Sequence, residues 1–308
     1  MRPLVLVNRG AGSGRGGRAW VKLREQVPQV DDCDIVAEGS AAAAQATLAE
    51  RLADGTVERL VSIGGDGTAQ LAVGALLDAG RGDIPFAIVP AGTGSDFAHH
   101  LGVPKDPAVA LREALEASHH RPLDAVRVEA DDGRSSACLN IASAGLSGAV
   151  DQAVEAARRR GGGSYLLATL RVLATYGSVP LRVTIAAEPD ARDADAFEPL
   201  VEGPLWLVAM ANGSSFGDGM RVAPDAVDDD GMLDVIVVPP VARWRLPWLL
   251  PRFLRGTHVH LPEVTVRRAG AVRIEPLEST QVYDVDGEVF AADAVTVRIL
   301  PSVLRLLT

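Results

Sequence analysis

An apolar run ends at Ile63, Gly64-Gly65-Asp66-Gly67-Thr68 follows, and an apolar pattern of a different period then begins. This handover from strand spacing to helix spacing constrains the chain more than any other feature. Glycines clear backbone room that a Cβ would fill, and an acid set among them points to a metal or a phosphate-bearing group. The same unit recurs through residues 1–125. "PLVLVN" (3–8) reads as a buried strand, followed by a glycine-rich loop and a helix near 18–27. "CDIVAE" (33–38) reads as a strand, and residues 40–53 as an Ala-rich helix with Ser40 as its N-cap. "IPFAIVPAGTGSDFA" opens a further strand, with a helix expected near 106–117. Strands alternating with helices imply a parallel sheet covered by helices.

After Leu123 the pattern changes to many strand-like segments separated by turn signals, with helical spacing only near 148–176 and 241–255. The expected fold class is therefore α/β plus all-β. A three-layer α/β domain with a mostly parallel sheet would occupy residues 1–125. An antiparallel, sandwich-like β domain would occupy 126–308, its last strand (about 293–308) returning to the first domain. The net charge of −10 argues against a nucleic-acid partner. Cys33 and Cys138 lack any second Cys or His at metal-ligand spacing, which fits a reducing compartment. No run reaches the ~18 apolar residues of a membrane span, and the apolar N-terminal run is too short for a signal peptide. The expected location is cytoplasmic.

Three glycine-rich loops, 8–17, 64–68 and 90–96, fall where strands should end. Ligands bind open α/β sheets at those carboxyl ends, where backbone N–H groups and helix N-termini cradle phosphates. Gly12, Gly14 and Gly17 also satisfy G-x-G-x-x-G, with Asp31, Asp32 and Asp34 further on. Four residues separate Val7 from Gly12, however, and a dinucleotide-binding reading leaves Asp66 and Asp96 unused.

"GGDGT" (64–68) followed by "PAGTGSDFAHHLG" (90–102) resembles the diacylglycerol kinase catalytic domain shared by bacterial lipid kinases, sphingosine kinases and ceramide kinases. "NRGAGSGRG" (8–16) is similar to that family's opening, residues 211–235 to its N-x-x-x-x-G-G-G…D-G-x-L-D segment, and "YDVDGE" (283–288) to its late D-G-E. The resemblance implies transfer of the γ-phosphoryl of ATP to a lipid hydroxyl, with Mg2+, in a cleft between the two domains. NAD kinases and phosphofructokinases share the GGDGT stretch; the later segments favour the lipid-kinase branch. An NAD kinase-like enzyme and a catalytically silent nucleotide or lipid sensor are the alternatives.

Carried over residue by residue, the resemblance implies that Asn8 and the backbone of Arg9, Gly10, Ala11 and Gly12 hold phosphates. Gly64, Gly65, Asp66, Gly67, Thr68, Ala69 and Gln70 would wrap the nucleotide, with Asp66 near the phosphates or their magnesium and Thr93 also in contact. Asp96 and Asp124 would orient substrate or a metal-bound water, Asp96 reading equally well as a helix N-cap. Glu288 would be the general base for the acceptor hydroxyl, while Asp286-Gly287 before it also reads as a hairpin-turn signal. Val227, Asp230 and Met232 match the family's structural magnesium loop, which otherwise reads as a solvated acidic turn. Arg9, Gln70, Ser95 and Asp218 depart from the family pattern, and Arg15 and Arg18 could offset phosphate charge. "VARWRLPWLLPRFLRG" (241–256) places Trp244 and Trp248 among Arg243, Arg245, Arg252 and Arg255. That suits a helix lying in a membrane interface, or a core-facing helix cut by Pro247 and Pro251. The partners implied are a lipid presented by a membrane and transient contact with the inner membrane face, with a homodimer left open.

Overall fold

The computed structural model describes residues 1–8, 11–92, 95–150, 153, 172, 176–217 and 219–308, and only the backbone of 11–16, 18, 243 and 247. Arg9, Gly10, Thr93, Asp218 and most of the helix expected near 148–176 lie outside the described residues, as do the side chains of Arg15, Arg18 and Arg243. The chain divides into two units, Met1–Ala125 with Pro301–Thr308, and Val126–Leu300.

The first unit is an α/β domain. Strands β1 (Arg2–Val7), β2 (Asp34–Val36), β3 (Val57–Gly64) and β4 (Pro85–Pro90) pair in the order β2-β1-β3-β4, all parallel. The C-terminal residues Arg305 and Leu306 add a parallel partner to β4. Alternate strand residues serve opposite faces. Val5, Val7, Val61, Ile63 and Val89 pack with Trp20 and Leu23 of α1 (Ala11–Gln26) and Leu111 of α5 (Pro107–Glu116). Helices α2 (Ala41–Ala53) and α3 (Asp66–Asp78) pack against each other, and α3 against β3. Ser40 caps α2 as expected, accepting the Ala43 N–H at 3.2 Å.

One boundary differs from the expectation. Helix α1 begins at Ala11, not near 18, so Gly12, Gly14, Gly16 and Gly17 are helical. Each helical glycine costs about 1 kcal/mol relative to alanine, which is why the segment reads as a loop. Burial of Trp20 and Leu23 against the sheet offsets that cost.

The second unit is an antiparallel sandwich. One sheet has the order β12-β11-β10-β7-β14-β15. Its strands are β7 (Ile141–Gly145), β10 (Leu207–Ala211), β11 (Leu233–Val238), β12 (Thr265–Ala269), β14 (Gln281–Val285) and β15 (Glu288–Ala292). Facing it are β8 (Val179–Ala186), β9 (Glu198–Leu205), β13 (Ala271–Pro276) and the first half of β16 (Val295–Leu307), paired antiparallel. Strand β5 (His120–Ala130) pairs with β6 (Ser135–Cys138) and with β16. Val128, Val183 and Ile274 from this layer interleave with Ala144, Met210, Val235 and Tyr283 from the other. Strands β7, β10 and β11 are buried along their whole length. Their outer face is covered by Leu246 and Phe253 of α6 (Leu246–Arg255), among others. Burial on both faces explains why "LDVIVV", Asp234 apart, is apolar at consecutive positions rather than alternating.

Candidate active site

Strand β1 sits between β2 and β3, so the chain reverses its direction of sheet growth beside the carboxyl ends of β1 and β3. Such a switch point opens a crevice between adjacent strand ends. Asn8 leaves β1 there, its N–H reaching the Ile63 carbonyl at 3.4 Å, and the Ala91 N–H after β4 donates to Gly64 O at 2.9 Å. The first and second glycine loops and the start of the third are thus neighbours in this unit.

Helix α3 starts at Asp66 with Gly65 as its N-cap. A Cβ on Gly64 would stand 2.2 Å from Thr68 Oγ1 and 2.6 Å from Thr68 Cβ, so glycine is required by the side chain four residues on. Thr68, Ala69 and Gln70 are buried, whereas Gly67 is exposed and Asp66 half-buried. What this corner can present to a ligand is the Gly65–Gly67 backbone, the α3 N-terminus and one carboxylate. That carboxylate also ties down the next loop: it accepts the N–H of Asp96 at 3.2 Å and of Phe97 at 3.4 Å. Ser95, the formal N-cap of α4 (Asp96–His100), supplies no side-chain cap bond. Asp66 therefore caps α4 from thirty residues upstream. Asp96 is itself buried at the first helical position.

Asp124 is completely buried in β5 and accepts the Ser302 N–H at 2.6 Å. Ser302 follows Pro301 and has φ +49.

In the second unit, "DVDGE" folds as a two-residue hairpin turn, with Val285 paired to Glu288 and positive φ at both Asp286 (53) and Gly287 (87). Positive φ at both central positions defines a type I′ turn, for which Asp-Gly is favoured. The Asp286 side chain points inward. It accepts N–H bonds from Leu139 at 2.6 Å, Asn140 at 3.0 Å and Ile141 at 3.1 Å, with the Cys138 thiol at 3.2 Å. Burial holds its pKa above the usual carboxylate value, and those donors oppose the rise. Burial first, and the Asp286 carboxylate second, drive the Cys138 thiol well above its usual range, so it is an inert thiol. Asp284, also buried, accepts the Gly287 N–H at 2.7 Å and lies 3.4 Å from Ser143 Oγ. Glu288 opens β15 and is exposed. Asp284 and Asp286 therefore build the turn that displays Glu288. Asn140 and Asn212 cross-link this region to the 211–216 segment, donating to Ser215 O and Leu139 O at 2.8 Å each. Sequence reasoning assigned no role to these four beyond the Asp-Gly turn signal, because their partners lie 73 or more residues away or on the buried side of the turn.

In the acidic loop, Asp230 accepts the Met232 N–H at 3.0 Å and forms an ion pair with Arg268, while Val227 is exposed. Asp234 is raised above the usual carboxylate range, chiefly by burial, with Arg268 opposing and the Asp230 and Asp225 charges adding. Among the described residues no group of three or more His, Cys, Asp or Glu side chains is placed to hold a metal.

Comparison with known proteins covers both units. Residues 2–128 match the diacylglycerol kinase catalytic domain, and residues 140–308 match the YegS C-terminal NAD kinase beta sandwich-like domain. The chain is 31% identical over 279 residues to the diacylglycerol kinase of Mycobacterium tuberculosis strain H37Rv, covering 90% of this chain and 85% of that one. It is 31% identical over 277 residues to a probable lipid kinase YegS-like of Xanthomonas campestris pv. campestris, covering 86% and 82%. A crystal structure of a diacylglycerol kinase from Bacillus anthracis superimposes with a TM-score of 0.69 at 21% identity, over 99% of this chain and 96% of that one, which shows a shared fold.

Proposed function

This chain belongs to the diacylglycerol kinase family of lipid kinases, and from that premise we propose that it transfers the γ-phosphoryl group of ATP to a hydroxyl of diacylglycerol or a related lipid. The observation that carries the proposal is the Gly64–Thr68 corner. It puts a helix N-terminus and one half-buried carboxylate at the switch point of a parallel sheet. The residues suit a nucleotide. Helices α1 and α3 both begin just beyond strand ends, and helix N-termini in that position suit phosphate oxygens. Asn8 and the Arg9–Gly12 backbone take the same role, and Thr93 a further contact. Asp66 suits one ligand position of a hard cation while its bonds to the Asp96 and Phe97 N–H groups keep it in place. Magnesium, when bound, offsets charge on the phosphates.

Glu288 is assigned as general base: an exposed carboxylate on a rigid turn can approach a hydroxyl and accept its proton. Asp96 orients the phosphate-side loop. For the acidic loop the fit to a second, structural magnesium is poor. Its donors are oxygens, as a hard cation requires, but the Asp230 carboxylate is already neutralised by Arg268. A cation held by Asp230 and the Val227 and Met232 carbonyls would have to displace that guanidinium, and no role in turnover is assigned to one.

The test is incubation of the purified protein with γ-labelled ATP and dioctanoylglycerol, the product identified by mass spectrometry. Phosphatidic acid formation that is abolished in Glu288→Gln and Asp66→Asn supports the proposal. Labelled NADP from NAD with no labelled lipid, or ATP binding with no labelled product, overturns it.

A further inference from the structure

Helix α6 (Leu246–Arg255) and the turn before it carry two different faces. Leu246, Leu249, Leu250 and Phe253 point inward and line an apolar pocket against the outer face of the β7-β10-β11 sheet. The outward positions 244, 248, 251, 252 and 255 fall on one stripe at helical spacing. Trp244 is 74% exposed and Trp248 75%, among the most exposed large apolar side chains described. The other two tryptophans, Trp20 and Trp206, are buried. Core packing is thus satisfied by the inner face, and it leaves the two exposed indoles unexplained.

Arg252 and Arg255 share the stripe, are exposed, and form no salt bridge among the described residues. Arg245 is paired with Glu263 at 2.6 Å. The chain as a whole carries −10, so a negatively charged surface repels it everywhere except where cations are locally in excess. Indoles bury their rings at the level of lipid headgroups, and arginine stems lie along apolar surface while the guanidinium reaches phosphate. We propose that the Trp244–Trp248–Arg252–Arg255 face is a docking surface for an anionic lipid bilayer, with α6 lying parallel to the membrane plane. The proposal rests on the lipid-kinase reading only for its purpose, delivery of a membrane-resident substrate; the surface itself stands on exposure and charge.

The experiment is co-sedimentation of the full chain with phosphatidylcholine vesicles containing or lacking phosphatidylglycerol, followed also by tryptophan emission. Expected are binding that requires phosphatidylglycerol and a blue shift in emission. Each arginine near an anionic surface contributes about fivefold in partitioning, so R252A/R255A together should weaken binding roughly 25-fold at low salt and much less in 0.5 M salt. W244A/W248A should weaken it at least tenfold (~10) and abolish the blue shift. Should W244A/W248A unfold, R252E/R255E, altered only on exposed tips, decides the matter. Vesicle binding unchanged in these variants overturns the proposal, as does self-association lost in them without any vesicle binding by the wild type. Phosphorylation of soluble dioctanoylglycerol is read in parallel. A chain that phosphorylates it yet ignores vesicles defeats the docking surface alone; one that docks through these residues yet phosphorylates no lipid defeats the kinase reading alone.

Discussion

Asp286 and Glu288 stand two residues apart and face opposite ways, so removing each carboxylate in turn separates structure from chemistry. Removing the Asp286 carboxylate leaves the N–H groups of Leu139, Asn140 and Ile141 buried and without their acceptor. Breaking a buried charge-assisted cluster costs roughly 3–5 kcal/mol. Asp286→Ala should therefore lower the urea midpoint sharply, whereas Glu288→Gln should leave it unchanged and remove turnover. Equal effects of both variants on the midpoint would refute this division. His258 offers a pH test at the same scale. It is fully buried, its Nε2 donates to Val222 O at 3.0 Å, and its ring stacks on Phe253 with centroids 3.8 Å apart. Burial lowers its pKa to about 4. A histidine neutral when folded contributes stability that is fully present above about pH 6.5 and is lost as pH falls toward 4, because only the unfolded chain gains the proton. The loss should be on the order of 3 kcal/mol between those limits. His258→Gln should flatten that acid limb in denaturation curves taken from pH 7 to 4.5, and an unchanged limb would sink the assignment.

At the scale of elements, an ion pair ties the 225–234 loop to β12. Arg268 in β12 grips Asp230 across a separation of 38 residues. Chelation should leave the melting temperature of the wild type unchanged, while Arg268→Met should lower it and make it rise again with added Mg2+. A wild-type melting temperature that falls in EDTA would show that a cation, not the guanidinium, holds the loop. This pairing also marks the limit of what sequence conveys. The strand-to-helix corner at Gly64, the Ser40 cap and the Asp-Gly turn were legible because their causes are local: a period change, a hydroxyl, a positive φ. The start of α1 was not, since glycine's low helix propensity is overridden by tertiary burial of Trp20 and Leu23. The role of Asp66 as a cap on α4, the Asp286 cluster and Arg268 were not legible either, because each joins segments far apart in the chain. For α6 the spacing admitted both a core helix and an interface helix. The fold buries one stripe and leaves the tryptophan stripe exposed, so both patterns coexist.

At the scale of the molecule, one strand serves both units. The first half of β16 pairs antiparallel with β13 (Val295 to Arg298), and Arg305 and Leu306 pair parallel with β4. The change of partner needs a break in the ladder. Pro301 has no N–H to offer, and Ser302 takes φ +49, a conformation disfavoured for a residue with a Cβ. The Ser302 N–H, turned out of the ladder, is received by Asp124 at 2.6 Å in β5. With zero exposure, this carboxylate acts on the chain before it can act on any substrate. Asp124→Ala should cost roughly 1.5–3 kcal/mol by removing the charged acceptor of that N–H. Asp124→Asn, which keeps an acceptor oxygen of the same size, should recover most of the loss. Activity per folded molecule should follow the same order, with Asn close to wild type. If Asp124→Asn melts like the wild type but is dead in the γ-labelled ATP assay, its charge is needed for phosphoryl transfer and the residue belongs with Asp66 and Glu288. Stability and activity rescued together by asparagine would instead make Asp124 a structural acceptor for the break in β16.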